Sequence, residues 1–76
     1  MKSKYHWINE NILIDFELPT LLKNTIKEAE EADITNNVSE YEALSDIIDV
    51  ICKGYCATGH MTHEQWNIVC QKYGYQ

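Results

Sequence analysis

The chain has 76 residues and a formal net charge of −6, with six lysines and no arginine. A chain of this length forms one domain that buries only about 60–65% of its unfolded surface, so a modest core is expected and a deep pocket is not. The acidic excess disfavours direct binding to nucleic acid, and no apolar stretch approaches the roughly 20 residues needed to cross a membrane. An odd number of cysteines and an N-terminus without the apolar core of a signal peptide predict a cytoplasmic protein.

The N-terminal segment is expected to form an arm over residues 1–17, ahead of a helical bundle over residues 18–76 of the same domain. Apolar side chains at Ile12, Ile14 and Phe16 alternate with other residues, which is a weak strand signal. Because a single strand would have no partner in this chain, the arm is expected to pack across the bundle as an extended segment or a short helix. The alternative is that it pairs with its own copy in a homodimer.

A first helix is predicted over residues 18–33, with Pro19 in its first turn, where proline is favoured. Its apolar positions recur at helical spacing on one side, and lysines and glutamates occupy the other side. The residues of the apolar side are Leu18, Leu21, Leu22, Ile26, Ala29 and Ala32. Residues 33–37 are polar and are expected to connect this helix to an antiparallel second helix.

The second helix is predicted over residues 39–58 and starts with a capping box made by Ser39 and Glu42. Either Gly54 or Gly59 is placed to end it, and Gly59 is preferred because the apolar positions continue past the earlier glycine. Those positions are Leu44, Ile47, Ile48, Ile51 and Tyr55, with Tyr41 and Cys52 at the edge.

The third helix is predicted over residues 62–73. Thr62 and Gln65 fit a second capping box, and the residues around it fit a hydrophobic staple. A glycine at the far end is placed to stop the helix. The staple residues and that glycine are Met61, Trp66 and Gly74.

Together these patterns predict an all-α fold, a small three-helix bundle with an N-terminal arm. The core is expected to form where the apolar sides of the three helices meet. Its predicted members are Leu18, Leu22, Ile26, Ala29, Leu44, Ile47, Ile48, Ile51, Tyr55, Trp66, Val69 and Tyr73.

Acidic residues are concentrated in the middle of the chain, in a window from 28 to 49 that contains no lysine. On the second helix Glu42, Asp46 and Asp49 follow at spacings of four and three, which places neighbouring Cβ atoms about 5–6 Å apart. Phosphates along one nucleic-acid strand recur about every 3.4 Å of helix axis, so a close row of carboxylates is predicted to imitate a phosphate backbone. Glu28 and Glu31 on the first helix extend the same field.

These five carboxylates are the predicted partner-binding residues, and the expected partner is a basic, nucleic-acid-binding host protein. The ordinary alternative is that the acidic face only keeps an amphipathic helix hydrated. A face with that role alone usually mixes charges of both signs, which is why the absence of lysine from the window favours binding.

Cys52, Cys56, His60 and His63 offer an alternative function, a small regulatory domain with a structural metal. With Cys70 they give the pattern C-x3-C-x3-H-x2-H-x6-C, and thiolate and imidazole are ligands that zinc prefers. If the second helix ran on to His60, the first three of these residues would share a face. Zinc modules more often present their ligands from turns, and buried cysteine most often acts as a small apolar residue, so no cofactor is expected.

No enzymatic activity is expected from this sequence. Cys56 with His60 or His63 is the one pair that fits a nucleophile and its base. No motif supplies an oxyanion hole or a glycine-rich phosphate loop to complete such a site.

Several aromatic residues lie outside the three apolar stripes and need another role. They either contact a partner, since tyrosine and tryptophan are enriched at interfaces, or cover the ends of the bundle. They are Tyr5, Trp7, Phe16 and Tyr75.

The end of the chain, Met61-Thr62-His63-Glu64-Gln65-Trp66 followed by Cys70-Gln71-Lys72-Tyr73, is similar to the last helix of some uncharacterised small proteins of phages and mobile elements. The size, the acidity and the use of lysine alone as a basic residue also resemble these orphan proteins of low-GC bacteria, a group that includes anti-CRISPR proteins. The resemblance implies a protein-binding role, often the inhibition of a host machine that handles nucleic acid. It implies no particular site residue.

Overall fold

The computed structural model describes residues 5–74, which contain three α-helices. They are α1 (Thr20–Ile34), α2 (Val38–Ala57) and α3 (His63–Tyr73). No strand occurs in the described part of the chain, so the prediction of an all-α three-helix bundle is confirmed. Each helix begins and ends within two residues of its predicted limits.

The central helix is α2, which packs against α1 on one side and α3 on the other. A short turn makes α1 and α2 antiparallel, so that Leu21 at the start of α1 lies near Val50 and Tyr55 toward the end of α2. One apolar cluster fills the space between the helices. Its buried members are Ile8, Leu22, Ile26, Ala29, Ala32, Tyr41, Leu44, Ile48, Cys52, Met61, Val69 and Tyr73.

Seven of the twelve predicted core residues are buried, and four more pack against the core while staying partly exposed. The expectation that Ile47 lies in the core is wrong, because its side chain is 46% exposed. The reason is the rotation of α2. Tyr41 and Cys52, expected at the edge of the apolar stripe, are fully buried, so the core-facing side of the helix is turned toward them and away from Ile47.

The capping box predicted at Ser39 and Glu42 is wrong. Asn37 caps α2 instead: its side-chain oxygen accepts a hydrogen bond from the backbone N–H of Glu40 at 3.3 Å, and its Nδ2 donates to the Glu40 carboxylate at 3.0 Å. The preceding residue, Asn36, has a left-handed backbone with φ of 58°, which asparagine adopts more readily than most residues. This tight turn lets α2 begin before Ser39.

The other predicted helix ends are confirmed. Thr62 and Gln65 form the complete capping box, with N–H to side-chain hydrogen bonds of 3.0 and 3.1 Å. Gly59 follows the last turn of α2 with φ of 79°, a left-handed conformation that costs glycine little. At the end of α3 the Gly74 N–H donates to the Cys70 carbonyl at 2.8 Å.

Residues 5–19 form neither a helix nor a strand and lie across the bundle as an arm. The Ile8 side chain is buried in the core. The weak strand signal in this segment therefore does not produce a strand, and the arm contributes instead to the packing of the bundle.

Asp33 holds the start of the arm. It was expected in the polar connector, but it lies within α1 and is fully buried. Its carboxylate accepts hydrogen bonds from the backbone N–H groups of His6, Trp7 and Ile8, the last two at 2.9 Å. These charge-assisted bonds replace the water that the carboxylate loses on burial.

Lys72 of α3 holds the middle of the arm. Its Nζ donates to the backbone carbonyls of Asn9, at 3.2 Å, and Ile12, and its own carbonyl accepts from the Asn9 N–H at 3.0 Å. Since α1 and α3 hardly touch each other directly, the arm joins these two helices and closes the core between them.

Candidate interaction surfaces

The five predicted partner-binding carboxylates are all exposed, but they are divided between two sides of α2. Glu28 and Glu31 of α1 line a shallow cleft together with Glu40 of α2, beside Ala32 and Thr35. We call Glu28, Glu31 and Glu40 the acidic cleft. Glu40 was not among the predicted site residues, although the short connector between the first two helices is the signal that brings it next to the end of α1.

The helix dipoles affect the acidic cleft unequally. Glu28 and Glu31 lie in the C-terminal half of α1, whose end is electrically negative, and the last turn of α1 carries no basic residue. The dipole of α1 therefore adds to the negative potential of these carboxylates. Glu40 lies in the first turn of α2, where a negative charge is favourable. The α1 dipole thus strengthens the negative potential at Glu28 and Glu31, whereas the α2 dipole offsets part of the negative charge of Glu40.

Glu42, Asp46 and Asp49 occupy the other side of α2, toward α3. Asp49 accepts hydrogen bonds from the indole N–H of Trp66 at 2.9 Å and from the Cys70 thiol at 3.3 Å. An indole N–H that is partly buried needs such an acceptor. Asp49 therefore joins α3 to α2 through one carboxylate oxygen, Oδ1, while the residue stays exposed.

Lys53 also changes the character of this side of α2. It is exposed and follows Asp49 by four residues, which places the two on the same side of the helix. The α3-facing side therefore carries charges of both signs. Lys27, which is exposed four residues before Glu31, likewise borders the acidic cleft on α1.

Two of the cysteines, Cys52 and Cys70, are poorly suited to act as thiolates. Burial, followed by the nearby Cys70, Cys56 and Asp49, raises the pKa of the Cys52 thiol to about 12. Burial and the hydrogen bond to Asp49 raise the pKa of Cys70 to about 11. Because the thiolate is both the nucleophile and the metal ligand, neither group is prepared for that chemistry at neutral pH. The thiol of Cys56 donates to the Thr62 carbonyl at 3.5 Å and not to a histidine.

The proposed metal ligands Cys52, Cys56, His60 and His63 do not converge. Since α2 ends at Ala57, His60 leaves the helix face that the metal hypothesis requires, and His63 begins α3. Within residues 5–74, no group of three or more histidine, cysteine, aspartate or glutamate side chains is arranged to hold a metal ion.

A second cleft, beside α3, combines a carboxylate, an imidazole and a thiol. It is lined by Asp49, His63, Trp66, Asn67 and Cys70. The thiol donates to Asp49, and the imidazole lies against the Trp66 ring with 5.7 Å between ring centroids. A cysteine nucleophile needs a base that takes its proton and a lowered pKa, and this arrangement supplies neither to Cys70.

Apolar side chains are exposed on the outer side of the α1–α2 pair. Leu21 is 58% exposed and Val50 is 66% exposed. They line a shallow groove with Ile51, Gly54 and Tyr55, and Thr58 and His60 complete its lining. We call the first five of these residues, Leu21, Val50, Ile51, Gly54 and Tyr55, the apolar groove. The sequence contained a signal for it, because apolar positions cover more of the circumference of α2 than two neighbouring helices can bury.

The aromatic residues of the arm are used within the fold. The Trp7 ring packs on Tyr41 with 5.0 Å between centroids, and the Tyr5 hydroxyl donates to Glu30 at 3.3 Å. The buried Tyr41 hydroxyl donates to the Tyr73 carbonyl at 2.7 Å. Burial raises the pKa of both tyrosines, that of Tyr73 to about 12. Phe16 is also partly buried against the core, and Tyr75 lies outside the described residues.

None of the helices in the described residues is long and apolar enough to cross a membrane. Comparisons with protein-family models, with curated proteins and with solved structures find no match to this chain.

Proposed function

We propose that this protein is a small acidic interaction module that occupies a basic, nucleic-acid-binding surface of a partner protein and so inhibits a machine that handles nucleic acid. The observation that carries the proposal is the acidic cleft. It brings Glu28, Glu31 and Glu40 from two helices to one solvent-facing site on a molecule of net charge −6.

Charge complementarity explains why such a site favours a basic surface. The lysine and arginine side chains that contact closely spaced phosphates in nucleic acid can contact closely spaced carboxylates instead. Residues three apart on a helix have Cβ atoms about 5–6 Å from each other. The surrounding negative field speeds the encounter with a positive partner. Glu42 and Asp46 add to this long-range field from the other side of α2, where they are exposed.

When this protein binds the lysines and arginines of the partner, nucleic acid can no longer bind the same side chains. This competition is the physical basis of inhibition. The resemblance of the C-terminal segment to small proteins of phages and mobile elements, which is an expectation from the sequence, implies the same role. Binding of this kind weakens as salt rises, with screening already strong at about 0.1 M ionic strength.

The proposal is tested by capture of bacterial proteins on the immobilised chain, after nuclease treatment of the lysate. One variant reverses the acidic cleft by Glu28→Lys, Glu31→Lys and Glu40→Lys. A matched control makes the same change at three exposed acidic residues of the arm, Glu10, Asp15 and Glu17. Each variant carries three new lysines and a net charge of zero. Because the cleft variant also loses the hydrogen bond from Asn37 to Glu40, circular dichroism must show that its helices are intact.

The expected result is that wild type and the arm control capture a basic, nucleic-acid-binding protein, whereas the cleft variant does not. Added DNA should release the captured protein. Equal capture by all three chains, or a captured protein that neither DNA nor salt releases, would contradict the proposal.

A further inference from the structure

We infer that one amphipathic helix of the partner lies along the α1–α2 pair, with its apolar side chains in the apolar groove and its lysines or arginines in the acidic cleft. The inference rests on the proposed function and specifies the kind of segment that the site takes.

Helical spacing places the groove and the cleft on the same side of the α1–α2 pair. Leu21 and Glu28 are seven residues apart, two turns along the same side of α1, and Ile47 and Glu40 have the same relation on α2. Because the helices are antiparallel, both change from apolar to acidic in the same direction, over about 10 Å. The half-exposed Ile47 lies between the two ends.

Gly54 is a second observation that points to an occupant. It lies inside α2, where glycine is less favourable than alanine, and its backbone is helical, so no special conformation requires it. No heavy atom lies within 4 Å of the place where a Cβ would be. Packing within the chain therefore does not require glycine here, whereas its missing side chain leaves the floor of the apolar groove open to a partner side chain.

Charge decides which occupant fits. A neutral apolar helix would leave the acidic cleft without a partner, and a second copy of this chain brings another net charge of −6. The groove also offers few strongly exposed apolar side chains, too few for the 1,200–2,000 Å² or so that a stable interface buries. An amphipathic helix matches the site, since it places apolar side chains at spacings of three and four on one face and basic side chains farther along the same face.

The test uses two synthetic peptides of about 16 residues, which as helices are about as long as α1. The patterned peptide carries leucines on one face of its first half and lysines on the same face of its second half. The scrambled peptide has the same composition without a common face. Affinity is measured by fluorescence anisotropy, and light scattering reports whether the protein alone is a monomer.

Two sets of substitutions test the contributions of the apolar groove and the acidic cleft to peptide binding one at a time. The groove variant is Leu21→Gln with Val50→Gln, and its control is Leu13→Gln, an apolar residue of the arm that is 78% exposed. The cleft variant is Glu28→Gln, Glu31→Gln and Glu40→Gln. Gly54→Ala narrows the floor of the groove without adding charge.

The patterned peptide is expected to bind at least about tenfold more tightly than the scrambled one, a difference of about 1.4 kcal/mol. The groove variant, the cleft variant and Gly54→Ala should each bind the patterned peptide more weakly than wild type does, and Leu13→Gln should bind it equally well.

If the cleft variant loses binding while the groove variant keeps it, or if both peptides bind alike, the helix inference is overturned and the acidic module stands. If the cleft variant binds as wild type does, the proposed function fails as well. Absence of peptide binding, or a dimer that the groove variant dissociates, also overturns the inference.

Discussion

The two flanks of this bundle differ in whether their charged side chains are bonded within the fold or face solvent. On the arm flank, the Asp33 carboxylate accepts hydrogen bonds from three backbone N–H groups, and the Lys72 ammonium donates hydrogen bonds to two backbone carbonyls. On the outer flank of the α1–α2 pair, the acidic cleft faces solvent, and Leu21 and Val50 remain more than half exposed.

The contrast separates residues that hold the fold from residues that are free to contact a partner. A buried carboxylate with three donors is satisfied by the chain itself, and its removal is expected to affect folding first. Exposed carboxylates beside exposed apolar side chains contribute little to folding, so changes there should affect binding while the fold stays intact.

The largest effect is expected from neighbouring isoleucines. Ile48 is 1% exposed and Ile47 is 46% exposed. Ile48→Ala should lower the free energy of unfolding by about 2–5 kcal/mol, because it leaves a cavity in the core. Ile47→Ala should cost less than about 1 kcal/mol, since its side chain is already half in water. Urea unfolding followed by circular dichroism measures both, and equal costs would show that the assignment of the outer flank is wrong.

Two acidic residues of α1 make the second pair. Asp33→Ala should lower the free energy of unfolding by about 3 kcal/mol, because three backbone N–H groups lose a charged acceptor. Glu31→Ala, in the acidic cleft, should leave the urea midpoint unchanged. An additional probe is the fluorescence of Trp7, measured in a Trp66→Phe background because the chain has two tryptophans. Its emission should shift to longer wavelength in the Asp33 variant as the arm detaches and the ring becomes exposed to solvent. A stable Asp33 variant with an unchanged Trp7 signal would contradict the role given to the arm.

Alkaline pH should weaken the α2–α3 side. Burial raises the pKa of Cys52 from 9.0 to about 12 and, with Asp49, raises that of Cys70 from 9.0 to about 11. Unfolded thiols ionise near pH 9 while the folded ones stay protonated, so the native state binds more protons between pH 9 and 11 and stability falls there. Below pH 9 this contribution is complete. The urea midpoint should begin to decline above about pH 9, and Cys70→Ser should reduce the decline; a midpoint that stays flat would refute the assignment.

The smallest effects are expected at two glycines, with opposite signs. Gly54→Ala should raise the free energy of unfolding by about 0.5–1 kcal/mol, because a helical position with open space gains a better helix former. Gly59→Ala should lower it by about 1 kcal/mol, since φ of 79° is strained for any residue with a Cβ. In thermal unfolding, the midpoint temperature of Gly54→Ala should lie above that of wild type and the midpoint temperature of Gly59→Ala below it. A destabilised Gly54→Ala chain would mean that the groove floor packs against something within the fold.

Local patterns predicted the helices well. The Thr62 capping box, Gly59 and the apolar spacing depend only on residues close in sequence, and the structure confirms them. Asn37 was missed as the cap of α2 because the choice between it and Ser39 depends on the left-handed turn at Asn36.

Contacts distant in sequence were not predictable in the same way. Asp33 resembled a connector residue, since nothing nearby in the chain shows that the backbone of residues 6–8 returns to it. The candidate site was also predictable only in part. The charge pattern identified Glu28 and Glu31, but Glu40 joins them only through the antiparallel packing of α1 and α2. Leu21 and Ile47 were assigned to apolar stripes because periodicity does not show how much of a face the neighbouring helices cover.

The central claim is that the outer flank of α1 and α2 binds a partner and the arm flank does not. The most direct measurement is a titration of isotope-labelled protein with the patterned leucine–lysine peptide, followed by backbone amide chemical shifts. The account predicts the largest changes around Leu21, Glu28, Glu40 and Val50, with little change around Trp7 and Asp33. Changes centred on the arm, or distributed evenly over the surface, would contradict it.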